Sequence, residues 1–360
     1  MKSLVPLILS CLLVAGACKR RVPVIELPPE ELHRETNSVY YWKTVFSLDS
    51  AEVDFMNAHD VERIYLRMFD VVDNPEGYKI EEKAIPNATV QINYYDYSEF
   101  RKNQNPRLEI VPVVFITLDA LKAMKDNEKI LAENIVSRVN NMRRYYEMPN
   151  VNELQLDCDW TASTEESFFK LCEEVKDIIK VFDLPWKLSS TIRLHQLARD
   201  VPPVDRGVLM VYNTGSFNSP DTRNSILDID DIKPYLKHLP SYSLHLDVAY
   251  PAYSWQLLFR NRVFIALTNG LNLNDTLKFK NSGKSQYTAL QDIPHNGKII
   301  RTRDMVRPET SDFQEIQKVK TQINKCLAGK KFSNIIYHLD TDNLSKYTTD
   351  EIQNIYSTHN

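Results

Sequence analysis

The stretch ELQLDCDWTASTEESFFKL, residues 153–171, decides how the rest of the chain is read. Side chains of a strand alternate between its two faces, so Leu154, Leu156 and Cys158 fall on one side and Gln155, Asp157 and Asp159 on the other. Burying an isolated carboxylate is costly. A strand built this way needs an apolar layer behind it and a polar cavity in front. Ser163 followed by Glu166 reads as a capping box. Beyond it Phe168, Leu171, Val175, Ile178 and Phe182 recur at helical spacing. The segment is therefore a strand that runs into an amphipathic helix.

The same alternation extends in both directions. VYYWKTVF (39–46) reads as a first strand, followed by a short helix with Ser50 as its N-cap. VERIYLRMFDV (61–71) is a second strand and VPVVFIT (111–117) a third. Nearly continuous apolar strands of this kind are covered on both faces. A long helix is expected from Asp119, with Leu131, Ile135, Val139, Met142 and Tyr146 on its buried side. The strand of the opening stretch is the fourth. KLSSTIRL (187–194), GVLMVYNTG (207–215), SLHLDVAYP (243–251) and NIIYHLD (334–340) supply four more. Helices are expected near 228–239 and 311–327 and at the closing TTDEIQNIY. This pattern predicts an α/β fold, a (β/α)8 TIM barrel over residues 39–360, with a doubly wound open sheet as the alternative.

Three places fit this scheme poorly. Residues 72–110 show no clear helix, and HQLARDVPPVDR is close to the minimum length for a parallel crossover. From VFIALTNG to MVRPE the chain makes an excursion, expected as an insertion at about 270–308.

The amino-terminal residues MKSLVPLILSCLLVAGAC carry a basic residue, an apolar run too short to span a bilayer comfortably, and small residues before Cys18. They resemble a bacterial lipobox, which implies a signal peptide over 1–18, acylation of Cys18 (palmitate) and a tether over 19–38. A plain secretory signal is the other reading. Lys19, Arg20 and Arg21 follow Cys18 in place of the acids that mark surface export of some lipoproteins. The expectation is a membrane-anchored lipoprotein of the cell envelope, facing the periplasm from the outer membrane.

The formal charge of −4 argues against a nucleic-acid partner. With only eight glycines and no glycine-rich phosphate loop, a dinucleotide cofactor is not expected. Beyond the signal segment, Cys158, Cys172 and Cys326 have no zinc-site spacing, so no metal is expected either.

In such barrels the carboxyl ends of the strands build the site. Those ends hold Arg67 and Asp70, Asp119, the Asp157/Asp159 pair, Arg193 and His195, Tyr212 and Asn213, Asp247, Tyr250 and Trp255, and Asp340. Carboxylates can protonate a leaving oxygen or bind sugar hydroxyls, and aromatic rings stack on sugar faces. Capping or ion pairing is the simpler role for several of these groups.

LQLDCDWT resembles the fourth-strand Asp-x-Asp-x-Glu motif of glycoside hydrolase family 18, the chitinase-like barrels. VLMVYNTG is similar to that family's sixth-strand Met-x-Tyr-Asp/Asn motif, and Trp255 to its sugar-platform tryptophan. The resemblance implies a glycan ligand, with Asp159 orienting an acetamido group and Tyr212 assisting it. Where the family carries its general-acid Glu, this chain has Thr161. Sliding the alignment by two residues instead places Gln155, Asp157 and Asp159 in the three positions, with Asp159 as the acid. The mature chain also resembles bacterial lipoproteins with barrel folds and an Asp-x-Asp strand.

Two functions follow. One is a glycan-cleaving enzyme using Asp157 or Asp159, paired with Asp247 as a second carboxylate. The other is a glycan-binding or structural envelope lipoprotein on a barrel that has lost its acid. Either would use Tyr212, Asn213, Trp255, Tyr250, His195, Arg67 and Arg193 as ligand contacts.

Overall fold

The computed structural model describes residues 35–358 apart from 104, 106, 149 and 284. The expected signal segment, Cys18 and most of the tether lie outside the described residues. Eight parallel strands form the core of the fold. They are β1 (Asn37–Tyr41), β2 (Val61–Asp73), β3 (Glu109–Ile116), β4 (Glu153–Asp157), β5 (Lys187–Arg193), β6 (Arg206–Met210), β7 (Leu246–Pro251) and β8 (Asn334–Tyr337). Each pairs with its sequence neighbour, and β8 pairs back onto β1. That closure makes a (β/α)8 barrel and excludes the open doubly wound sheet.

The alternation within the opening stretch sets up the two layers. Leu154, Leu156 and Cys158 pack outward against Phe168, Leu171 and Val175 of the helix Glu165–Val181. Burying one such side chain fully contributes about 1.5–3 kcal/mol. Gln155 and Asp157 turn inward. Gln155 accepts a hydrogen bond from the Tyr40 hydroxyl at 2.7 Å and donates to Ser189 Oγ at 3.3 Å. Around it Tyr65, Val111, Val208 and Ile335 fill the middle of the barrel. Beneath that layer lies a buried charge network. Arg206 meets Glu153 at 2.5 Å and Asp247 at 3.5 Å, while Arg63 meets Glu109 at 2.7 Å.

Several local expectations are corrected by the structure. The first helix, Ser50–Ala58, is capped by Asp49, which forms a capping box with Glu52; Ser50 lies inside the helix. The helix from Asp119 is two helices, Leu118–Ala123 and Glu128–Tyr145, separated where Asp126 takes a left-handed φ of 66°. The Ser163–Glu166 capping box does not form. Thr164 precedes the helix, and its hydroxyl instead accepts from the Thr161 N–H at 3.0 Å. A helix, Tyr94–Asn103, does occur within 72–110. Between β5 and β6 the crossover contains only the 3-10 turn Leu194–Ala198.

The insertion begins earlier than expected. A five-stranded antiparallel sheet spans 254–310, its central strands being Ser254–Arg260 and Met305–Thr310. Asn261 and Arg262 both have positive φ, 50° and 66°, which suits a two-residue hairpin between Ser254–Arg260 and Val263–Thr268. Leu258, Phe279, Ala289 and Val306 give the sheet a small core of its own.

Candidate functional site

The two acids of the opening stretch part company at the carboxyl end of β4. Asp157, the last residue of the strand, is almost fully buried. Its Oδ1 accepts from the Thr191 hydroxyl at 2.6 Å and from Arg193 Nη2 at 2.9 Å. Burial alone would pull the Arg193 guanidinium down, but the neighbouring Asp157 carboxylate outweighs it and holds the group above the ordinary arginine range. Asp159 lies past the strand end, with 59% of its side chain exposed. Arg193 Nε stands 3.9 Å from it and His195 Nε2 3.7 Å. Of the two acids, Asp159 therefore reaches solvent and Asp157 does not. The strand end is held in place from the 3-10 turn, where Gln196 Nε2 donates to the Trp160 carbonyl at 2.9 Å.

Aromatic side chains form a row across the mouth. Trp42, just past β1, lies 5.7 Å from Tyr337 at the end of β8. Tyr337 stacks on Tyr212 at 4.4 Å with an interplanar angle of 24°. Tyr253 stands edge-on to both, 6.2 Å from Tyr212 and 5.9 Å from Tyr337, and its far side meets Trp255 at 5.4 Å. Asn213 takes a left-handed φ of 53°, and its Oδ1 accepts from the Tyr253 hydroxyl at 2.7 Å. Burial pushes the Tyr212, Tyr253 and Tyr337 phenols up, so they stay protonated and keep their donors. Arg67 spreads over the Trp42 ring at 5.3 Å and pairs with Asp70.

Tyr212, Asn213, Arg67, Arg193, His195, Asp159 and Trp255 thus gather at or beside the mouth, although Trp255 reaches it from the insertion sheet. Asp247 and Tyr250 do not. Asp247 sits on the barrel floor, where its Oδ1 accepts from the Ser333 N–H at 2.7 Å. Burial pushes this carboxyl up, but the His245 hydrogen bond and the charges of Arg206 and Arg63 prevail and bring it down to about 2. It cannot serve as a second carboxylate at the mouth. Tyr250 is fully buried and packs outward, in the layer that faces the helices. Asp340 caps the short helix Thr341–Leu344, and Asp119 is an exposed partner of Lys122.

Sequence reading missed Trp42, Tyr253, Tyr337 and Glu309. Trp42 and Tyr337 each stand two residues beyond an inward-facing residue, Tyr40 and Ile335, so period-two alternation carried the signal for both. Nothing local distinguishes Glu309.

The site can hydrogen-bond and stack on a polar ring far more readily than it can transfer a proton. Asp70 and Asp157 are tied to arginines, and Thr161 is exposed where the resembled motif has its acid. Asp159 is exposed at the rim, beside Arg193 and His195.

Barrel and insertion together define a (β/α)8 barrel carrying an inserted antiparallel sheet. Solved structures of similar fold include the spore cortex-lytic enzyme SleL of Bacillus cereus, at 12% identity over 90% of this chain and 75% of that one, with a TM-score of 0.51. A chitinase from Chromobacterium violaceum is similar at 11% identity over 89% and 99% of the two chains, TM-score 0.51. The second catalytic domain of the Ostrinia furnacalis Group II chitinase, in complex with penta-N-acetylchitooctaose, is similar at 9% identity over 89% and 95%, TM-score 0.51. At these identities the likeness is one of fold. No protein-family model matches the chain, and no curated protein matches it in sequence.

Proposed function

We propose that the barrel mouth binds an N-acetylated, β-linked oligosaccharide of the cell envelope and does not cleave it. The observation that carries this reading is the aromatic row from Trp42 through Tyr337, Tyr212 and Tyr253 to Trp255, flanked by Arg193 and Asp159. Rings supply stacking surface, and the fixed polar groups supply orientation. The similar folds are named as chitinases and a spore cortex-lytic enzyme, which supports a glycan as the ligand class. The commitment of Asp157 to Arg193 and Thr191, with Thr161 beyond it, supports binding without turnover. A second reading, hydrolysis with Asp159 as the acid, is favoured by that side chain's openness. Calorimetry of the full chain in detergent with chitotetraose and peptidoglycan fragments, followed by product analysis, separates the two. Binding with intact sugars supports the first. Cleavage that disappears in Asp159→Asn replaces it with the second, and no affinity for any of the sugars removes both.

We infer that the same protein is a lipoprotein acylated on Cys18 and held facing the periplasm. The apolar run and small residues before Cys18 support this. Metabolic labelling with a palmitate analogue tests it. Label and membrane association should both vanish in Cys18→Ser, and label persisting there would overturn the assignment.

A further inference from the structure

We propose that Glu309 is a positioning residue, fixing the orientation of Trp255 and tying the loop after β6 to the insertion sheet through one buried carboxylate. The proposal rests on the reading of the mouth as a glycan site. Glu309 stands directly opposite Trp255 on the neighbouring antiparallel strand, so both side chains emerge on the same sheet face. Its Oε2 accepts from the indole Nε1–H of Trp255 at 2.7 Å and from the Ser225 hydroxyl at 2.5 Å. Its Oε1 pairs with Arg307 Nε at 2.8 Å. Neither charged side chain has meaningful contact with water.

A buried carboxylate is tolerated only when it is paired and hydrogen-bonded. Arg307 supplies the pairing and is itself held elsewhere. Its Nη1 donates to the Ser219 carbonyl at 2.6 Å, and its guanidinium lies over the Phe259 ring at 5.1 Å. Ser219 and Ser225 both belong to the loop that follows Tyr212 and Asn213. The same loop is fastened again where Asn224 Nδ2 donates to the Thr310 carbonyl and Gln286 Nε2 to that of Pro220, each at 2.9 Å. The indole thus has one defined rotamer before any ligand arrives. A preorganised ring loses less freedom on binding than a mobile one.

Fluorine NMR on protein labelled with 5-fluorotryptophan tests this without a ligand. Four tryptophans give four resonances, and Trp255→Phe assigns the relevant one. We expect a single sharp Trp255 line in the wild type and a broadened or divided line in Glu309→Gln, with the other three unmoved. Affinity for chitotetraose should fall about tenfold in Glu309→Gln. Trp255→Phe keeps a ring but removes the indole donor while leaving the Glu309–Arg307 pair intact, so it tests the same hydrogen bond without exposing a buried charge to imbalance. Its loss should match that of Glu309→Gln, and the double variant should add less than about twofold. An unchanged Trp255 line in Glu309→Gln, or fully additive losses, would overturn the positioning role. If Trp255→Ala binds chitotetraose as well as the wild type, the glycan reading of this wall fails instead, whatever the resonance does.

Discussion

Replacing Asp247 by Asn tests whether this acid belongs to the barrel floor or to a ligand. In the folded protein Asp247 faces Arg206 at 3.5 Å and His245 at 3.5 Å, and its carboxyl lies at about 2 against an ordinary 3.8. Because the folded value is depressed, the charged form stabilises the fold above the unfolded value, and that contribution is lost as pH falls through about 2. The difference corresponds to roughly 2–3 kcal/mol near neutral pH. Urea unfolding of Asp247→Asn should show a loss of that order at about pH 7 with an unchanged slope against denaturant. The gap between variant and wild type should close progressively as pH drops from about 4 to about 2, since the wild-type carboxylate is then being protonated. Chitotetraose affinity, measured well below the unfolding temperature of either protein, should not move. A stability loss under about 0.5 kcal/mol, or a gap that stays constant with pH, would refute the assignment of Asp247 to the floor network. Lost affinity with unchanged stability would return Asp247 to the ligand site.

Among the described residues, Arg193→Met leaves the buried Asp157 with the Thr191 hydroxyl alone, and removing one partner of such a pair costs about 3 kcal/mol. Denaturant titration should show that loss, and a variant as stable as the wild type would mean the pair contributes nothing. Tyr253→Phe removes the hydrogen bond to Asn213 and should cost about 1 kcal/mol, read as a lowered melting temperature. An unchanged melting temperature would show that Asn213 holds its left-handed conformation without it.

The eight strands were legible because parallel strands covered on both faces advertise themselves as short apolar runs. VPVVFIT became Glu109–Ile116, and ELQLDCDW contains Glu153–Asp157. The alternation in the latter also placed Leu154 and Leu156 outward and Gln155 and Asp157 inward. Such signals are local, a matter of period and burial along a few residues. Caps were less legible, since Asp49 and Ser50 offer the same chemistry one residue apart and only backbone geometry chooses between them.

What tertiary structure alone decided was the partner of each polar group. Asp157 and Asp159 are near neighbours on one chain, yet one is sealed against Arg193 and the other stands in water, because the strand ends between them. Asp247 reads like a site carboxylate but enters its strand at the amino end, so it meets Arg206 on the floor. Glu309 joins Trp255 across 54 residues of sequence through an antiparallel register that no local pattern encodes. Periodicity reports which face a residue occupies; the depth of that residue in the barrel and the charge it meets depend on closure of the whole sheet.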